Sequence, residues 1–255
     1  MLTTPSNGSS ETTRADGSDV RLVLASASPR RRELLTFLNV PFTVVATNAE
    51  DSDTAVPAVV VESLPPCPLP THQHPSLLAW RKAHAVWSSH TADVVLGADT
   101  TVMLDGKVCP KPRDATHAYE MLTQLSGQTH TVYTGLCVFS RLPNASQEHH
   151  QQTGLLHLVA TEVTMEHLQS DAIESYIATQ EPLDKAGAYA VQGIGAQLVR
   201  QVVGSFTSVV GLPLQETWKL LTAAGISAMH EPSAAYIAWL TSQGKEPLPC
   251  PPTLP

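Results

Sequence analysis

The chain has no Cys-x-x-C pair, no apolar run long enough to cross a bilayer and no leader-like apolar core near its start. Its four cysteines, Cys67, Cys109, Cys137 and Cys250, stand far apart. That excludes a disulfide frame or a zinc site and points to reduced thiols in a cytosolic protein. Met1–Asp19 is rich in Ser, Thr and Gly, and its Glu11, Asp16 and Asp19 suit neither a secretory signal nor an organelle transit peptide. The sequons at Asn7 and Asn144 would then stay unused, and the expected location is the cytoplasm. Broad basic charge is also missing. Fifteen Lys and Arg stand against 23 Asp and Glu, a net −8, which argues against a nucleic-acid polymer as partner. A small phosphorylated ligand needs only a local basic pocket, so the acidic balance does not oppose one. No Ser/His/Asp nucleophile elbow is present, and Gly187 and Gly193 make no dinucleotide fingerprint. His72-Gln73-His74 and His149-His150 lack Cys or His partners at ligand spacing, and read as solvated loop histidines.

What is present is a chain of 255 residues, 42% of them hydrophobic, enough for one large domain or two small ones. Residues 1–19 read as a disordered tail, 20–228 as the folded domain, and 229–255 as an extension with a Pro-rich end. Leu22–Ala25 and Phe42–Ala46 have strand composition, and Arg30–Leu38 and Ser76–Ser88 have helical spacing. Thr47–Pro75, with six prolines, reads as a long surface loop. Val94–Ala98 predicts a strand entering a turn at Asp99. Asp105-Gly106 predicts a hairpin between Thr101–Leu104 and Lys107–Cys109. Asp114 can cap a helix running to Ser126 that stops at Gly127. Thr131–Ser140 and Leu155–Met165 read as long strands, Ser170–Thr179 as a helix and Gly195–Val203 as extended. Pro213–Ala224 is the last core helix, and Ala234–Thr241 an extra one. Strands alternating with helices predict an α/β fold.

Three runs carry the chemistry. In Ser26-Ala27-Ser28-Pro29-Arg30-Arg31-Arg32-Glu33-Leu34-Leu35, a strand ends in hydroxyl residues. Pro29 suits the first turn of a helix. Unpaired N–H groups at a helix start attract phosphate, and arginines add bidentate donors; a capped helix with a solvated basic face would look the same. In Gly97-Ala98-Asp99-Thr100-Thr101-Val102, small neighbours let a ligand approach a carboxylate that can bind a hard cation or deprotonate water. An Asp capping a turn is the plainer alternative. The third run, Glu181-Pro182-Leu183-Asp184-Lys185-Ala186-Gly187-Ala188-Tyr189, leads to Gln192. Its side-chain amide could pair with the N3–H and O4 edge of uracil or thymine, or simply face solvent. Glu50, Asp51 and Asp53 form an acidic cluster, and Lys82, Lys111 and Lys185 are scattered cations.

Together and in this order, the runs resemble the Maf (septum-formation) family of nucleoside triphosphate pyrophosphatases, over Leu22 to Ala224. The resemblance implies a mixed, elongated β-sheet with flanking helices, in two lobes around a central cleft, similar to inosine triphosphate pyrophosphatases. It implies Asp99 as proton acceptor; Glu50 and Asp51, with Asp99, as ligands of a divalent cation, Mg²⁺ or Mn²⁺; and Ser26, Arg31, Lys82, Lys111 and Lys185 as phosphate-binding. Three family positions divide the substrate classes. The branch acting on dTTP and UTP has Arg, Thr and Gln, as in Arg30, Thr100 and Gln192 here; the branch acting on 7-methyl-GTP has Trp, Gln and Glu. The implied protein is a cytoplasmic homodimer that hydrolyses dTTP and UTP, or modified pyrimidine nucleotides, to monophosphate and pyrophosphate. The alternative is a nucleotide-binding regulator of cell division without turnover. The chain departs from the pattern at Pro110, where the family usually has Gly before the lysine.

Overall fold

A computed structural model describes residues 20–49, 55–142 and 153–245. Glu50, Asp51 and Asp53, the two terminal tails and the 143–152 loop lie outside the described residues. Within them, β1 (Leu22–Ala25) leads to α1 (Pro29–Thr36) and β2 (Phe42–Val44). Next come α2 (Ala58–Glu62), α3 (Pro75–Ser89), β3 (Val94–Leu104), β4 (Lys107–Cys109) and α4 (Ala115–Leu125). Then β5 (Thr129–Ser140), β6 (Leu155–Met165), α5 (Ser170–Ala178), β7 (Val199–Val203), α6 (Phe206–Val210), α7 (Leu214–Ala223) and α8 (Pro232–Ser242) complete the chain.

The seven strands form one mixed sheet in the order β2-β1-β3-β5-β6-β7, with β4 paired to β3. β1 runs parallel to β2 and β3; every other pairing is antiparallel. β3, β5 and β6 have 11, 12 and 11 residues, about twice a usual strand, which makes the sheet elongated. Side-chain alternation splits the core in two. Leu22, Leu24, Val94, Leu96, Leu136 and Val138 join the larger cluster, which also takes in apolar residues of α1 and α4 to α8. Val23, Ala25, Val95, Cys137 and Phe139 face the other way, onto Leu77, Ala79, Trp80, Ala83 and Val86 of α3.

Several expectations need correction. Asp99 is not in a turn: β3 runs unbroken through it, opposite Gly135 of β5. The small residues before Asp99 have another cause. A Cβ on Gly97 would sit 2.3 Å from the Ala79 carbonyl oxygen and 2.9 Å from the Ala83 Cβ, so Gly97 is where α3 presses on the sheet. Thr47–Pro75 is not all loop, for it contains α2 and a 3₁₀ turn at Thr71–Gln73. His74 is not solvated either. It is buried, its Nδ1 accepts from the Ser76 amide at 3.1 Å as the cap of α3, and its Nε2 meets the Pro65 carbonyl at 2.9 Å. Gly193–Leu198 is 3₁₀ helix, and only Val199–Val203 of that stretch is strand. The Asp105-Gly106 hairpin, the Asp114 cap and the late helix α8 match the sequence reading.

Candidate active site

The site begins with a break in one edge of β3. On that edge β1 pairs only as far as Ala25 opposite Gly97, and β4 begins only at Val102 opposite Cys109. The other edge is paired to β5 from Val94 to Met103. Ala98 to Thr101 therefore lie in a gap between a parallel and an antiparallel neighbour. The chain leaving β1 turns through Ser26–Ser28 into α1 beside this gap. Ligands in sheets with parallel strands commonly gather where strands end and neighbours diverge. A cleft of about 420 Å³ occupies the gap. It is lined by Ser26–Arg31, Lys82, Asp99, Thr100, Lys111, Asp184, Lys185 and Gln192, among others. All the sequence-assigned residues within the described part of the chain meet there; Glu50 and Asp51 are outside it.

Asp99 and Lys82 form the inner part. The Lys82 Nζ lies 2.7 Å from Asp99 Oδ1, with 7% and 14% of the two side chains exposed. Close packing of α3 on Gly97 explains how a lysine on α3 reaches a carboxylate two residues further along β3. Successive strand residues point to opposite faces, so Thr100 faces away from α3. Its hydroxyl receives Arg31 Nη2 at 3.1 Å and lies 3.0 Å from the Thr134 hydroxyl.

Arg31 is buried and tied to the protein on three sides. Nε donates to the Gly211 carbonyl at 2.9 Å, Nη1 to the Ser26 hydroxyl at 3.3 Å, and Nη2 to Thr100. Ser28 caps α1, its hydroxyl accepting from the Arg31 amide at 3.4 Å, with Pro29 in the first turn. Arg30 points elsewhere, its guanidinium 3.6 Å from Asp184. Asp184 also takes Lys185 Nζ at 2.6 Å. Burial pushes its carboxyl up, but the hydrogen bond and charge of Lys185, with the Arg30 guanidinium, outweigh that and hold it below the ordinary carboxylate range.

The segment carrying Gln192 is held from several sides. The Gly187 amide donates to the Pro110 carbonyl at 3.1 Å, which docks the segment beside Lys111; Pro110 thus serves as an anchor. The Ala190 amide donates to the Tyr176 hydroxyl at 3.1 Å, and the Gly195 amide to Glu181 Oε2 at 3.0 Å. A φ of +74° at Gly187, reached without strain by glycine, turns the chain into the cleft. Gln192 Oε1 is buried and has no hydrogen-bond partner among the described residues. Below, the Tyr189 hydroxyl lies 2.6 Å from His130 Nε2. Burial pushes Tyr189 well up and lowers His130 to about 4, so a neutral imidazole accepts from a neutral phenol.

Sequence reasoning gave no role to Asp184, Glu181, Tyr189, Tyr176 or His130. The first three lie inside the third run and could have been singled out. Tyr176 and His130 carry no local signal, because their partners are 14 and 59 residues away.

The profile of the Maf-like protein family matches residues 21–224. A protein of Moorella thermoacetica named dTTP/UTP pyrophosphatase is 46% identical over 206 residues, 81% of this chain and 96% of the relative. Proteins of the same name from Bacillus cytotoxicus and Escherichia coli are 41% identical over 212 residues and 43% identical over 202. Those alignments cover 82% and 79% of this chain, and 98% and 91% of the relatives.

Proposed function

The chain belongs to the Maf-like family, and from that premise we propose that it is a hydrolase that cleaves dTTP and UTP to the nucleoside monophosphate and pyrophosphate. The observation that carries this is the convergence in one cleft of a carboxylate, Asp99, with Lys82, Arg30, Lys111 and Lys185 from four separate segments. A triphosphate carries about four negative charges and calls for several converging Lys and Arg donors.

Asp99 takes a proton from the water that attacks the α-phosphorus. Lys82 holds the carboxylate in place and adds positive charge beside it. Lys111 and Lys185 neutralise the phosphate oxygens as charge shifts to the leaving pyrophosphate, the kind of stabilisation that dominates phosphoryl chemistry. Arg31, bonded to Ser26 and Thr100, supports the floor of the site, and Arg30 and Thr100 select the base together with Gln192. Gln192 accepts from N3–H and donates to O4 of the pyrimidine, and its oxygen, buried and without a partner among the described residues, supports that role. A pyrimidine with N3–H supplies that acceptor with a donor.

A divalent cation fits the donors present. Asp99 is a hard oxygen ligand, and Mg²⁺ is usually held by one or two carboxylates plus substrate phosphates and water. Asp99 would hold it with Glu50 and Asp51. When bound, Mg²⁺ or Mn²⁺ offsets charge at the α-phosphate and lowers the pKa of water. A cytoplasmic homodimer completes the proposal.

The test is a screen of pyrophosphate release across canonical and modified nucleotides. UTP and dTTP should give monophosphate and pyrophosphate. Stepwise orthophosphate would mean attack at the γ-phosphorus, and binding without product would mean a nucleotide-dependent regulator.

A further inference from the structure

The matched family profile ends at residue 224, before α8 begins, yet α8 is built into the domain. Its Ala235, Trp239 and Leu240 are buried in the same cluster as Leu34 and Leu35 of α1. The His230 amide donates to the Leu38 carbonyl at 2.9 Å, which ties the approach to α8 to the segment just beyond α1. Trp239 Nε1 donates to Glu33 Oε1 at 2.9 Å, and Gln243 Nε2 donates to the same oxygen at 2.7 Å. Glu33 belongs to α1. The Trp239 ring also tilts against Phe206, the first residue of α6, with centroids 6.0 Å apart. One helix therefore holds both α1 and α6. These are the elements that meet at Arg31: α1 carries it, and α6 leads to Gly211, whose carbonyl receives its Nε.

We propose that α8 is a strut of the nucleotide cleft, in which Trp239 and Gln243, the residue that caps the helix end, are positioning residues acting through Glu33 on Arg30 and Arg31. A helix of eight residues has little stability of its own, so packing sets its direction. Hydrogen bonds to a carboxylate are among the stronger ones, and two on one oxygen fix the turn that follows the arginines. Asp99 and Lys82 sit on β3 and α3, which this contact does not involve. Loss of the strut therefore weakens substrate binding and leaves the chemical step alone.

The kinetic part rests on the pyrophosphatase reading, so the experiment has a second readout. The full-length double variant Trp239→Phe/Gln243→Ala keeps an aromatic ring and removes both donors. Its KM for UTP should rise about threefold to thirtyfold, the range of couplings carried through packed neighbours, with kcat changed less than about twofold. Amide exchange should quicken in α1 and stay unchanged in α3. Glu33→Gln keeps the acceptor oxygen but loses the charge, and should raise KM less than the double variant does. Gln243→Ala alone, at an exposed position that cannot unfold the core, should show the same change in smaller degree. Unchanged KM with unchanged α1 exchange overturns the proposal, as does a fall in kcat at constant KM. If the wild type released no pyrophosphate from UTP, the functional reading would fail, while the contrast in exchange between α1 and α3 would still decide the strut.

Discussion

At the scale of single residues, the cleft separates groups that react from groups that hold them. Asp99→Asn keeps the shape and an oxygen that can accept from Lys82, but removes the proton acceptor. Turnover should fall on the order of a hundredfold or more with melting little changed, and a folded variant at wild-type rate would remove Asp99 from the chemistry. Gln192→Glu turns the donor facing O4 into a second acceptor, so selectivity for UTP and dTTP should drop while pyrophosphate inhibition holds. Adding Arg30→Trp should shift preference toward 7-methyl-GTP, whose cationic purine suits an aromatic face and a carboxylate. Measuring kcat/KM for the three nucleotides tests both changes; constant ratios would mean that Gln192 does not read the base. His130 bears on stability. Burial lowers its pKa from 6.5 to about 4. The unfolded chain therefore takes up this proton first, and the contribution is complete above pH 6.5 and lost as pH falls toward 4. That difference is worth about 3 kcal/mol. Over that window, denaturant unfolding of His130→Gln should lose about that much less stability than the wild type.

At the scale of elements, α3 and β3 form the unit on which the chemistry rests. Gly97 was legible as a sign of close approach, but what approaches is a helix where a ligand in a turn had been expected. Gly97→Ala would drive its Cβ into the Ala79 carbonyl. Because the obstacle is backbone, α3 must shift, at a cost of about 1–3 kcal/mol or more. The variant should melt lower and, with Lys82 displaced from Asp99, lose kcat more than KM. Wild-type kcat in a variant that melts lower would mean that α3 placement does not govern the reacting carboxylate. The β4 hairpin, the α4 cap and α8 were readable because their signals are local: Asp105-Gly106, Asp114 and an apolar run. The 3₁₀ turn at Thr71–Gln73 and α2 were not, because a few residues between prolines carry no periodicity.

At the scale of the whole molecule, the fold supplies cations from four segments but few carboxylates. Among the described residues no three His, Cys, Asp or Glu gather to hold a metal. A cation held by Asp99 should therefore depend on substrate phosphates for most of its other ligands. Titration calorimetry should show weak Mg²⁺ binding to the protein alone and at least about tenfold tighter binding with a non-hydrolysable UTP analogue. Chelation should stop turnover without lowering the melting temperature. Tight binding without nucleotide, or activity that survives chelation, would contradict this.

The sequence by itself determined the α/β class, the order of the three runs, the family and the residue types of the cleft. These follow from spacing, turn residues and charge, which act over a few neighbours. Only the tertiary structure decided that Asp99 lies within a strand, that the gap between β1 and β4 exposes it, and that Lys82 reaches it because α3 presses on Gly97. The same holds for Arg31 bonded to Gly211, 180 residues away, and for Trp239 on Glu33, 206 residues away. Such contacts depend on how sheet and helices pack, and side chains that distant leave no mark on each other's local pattern.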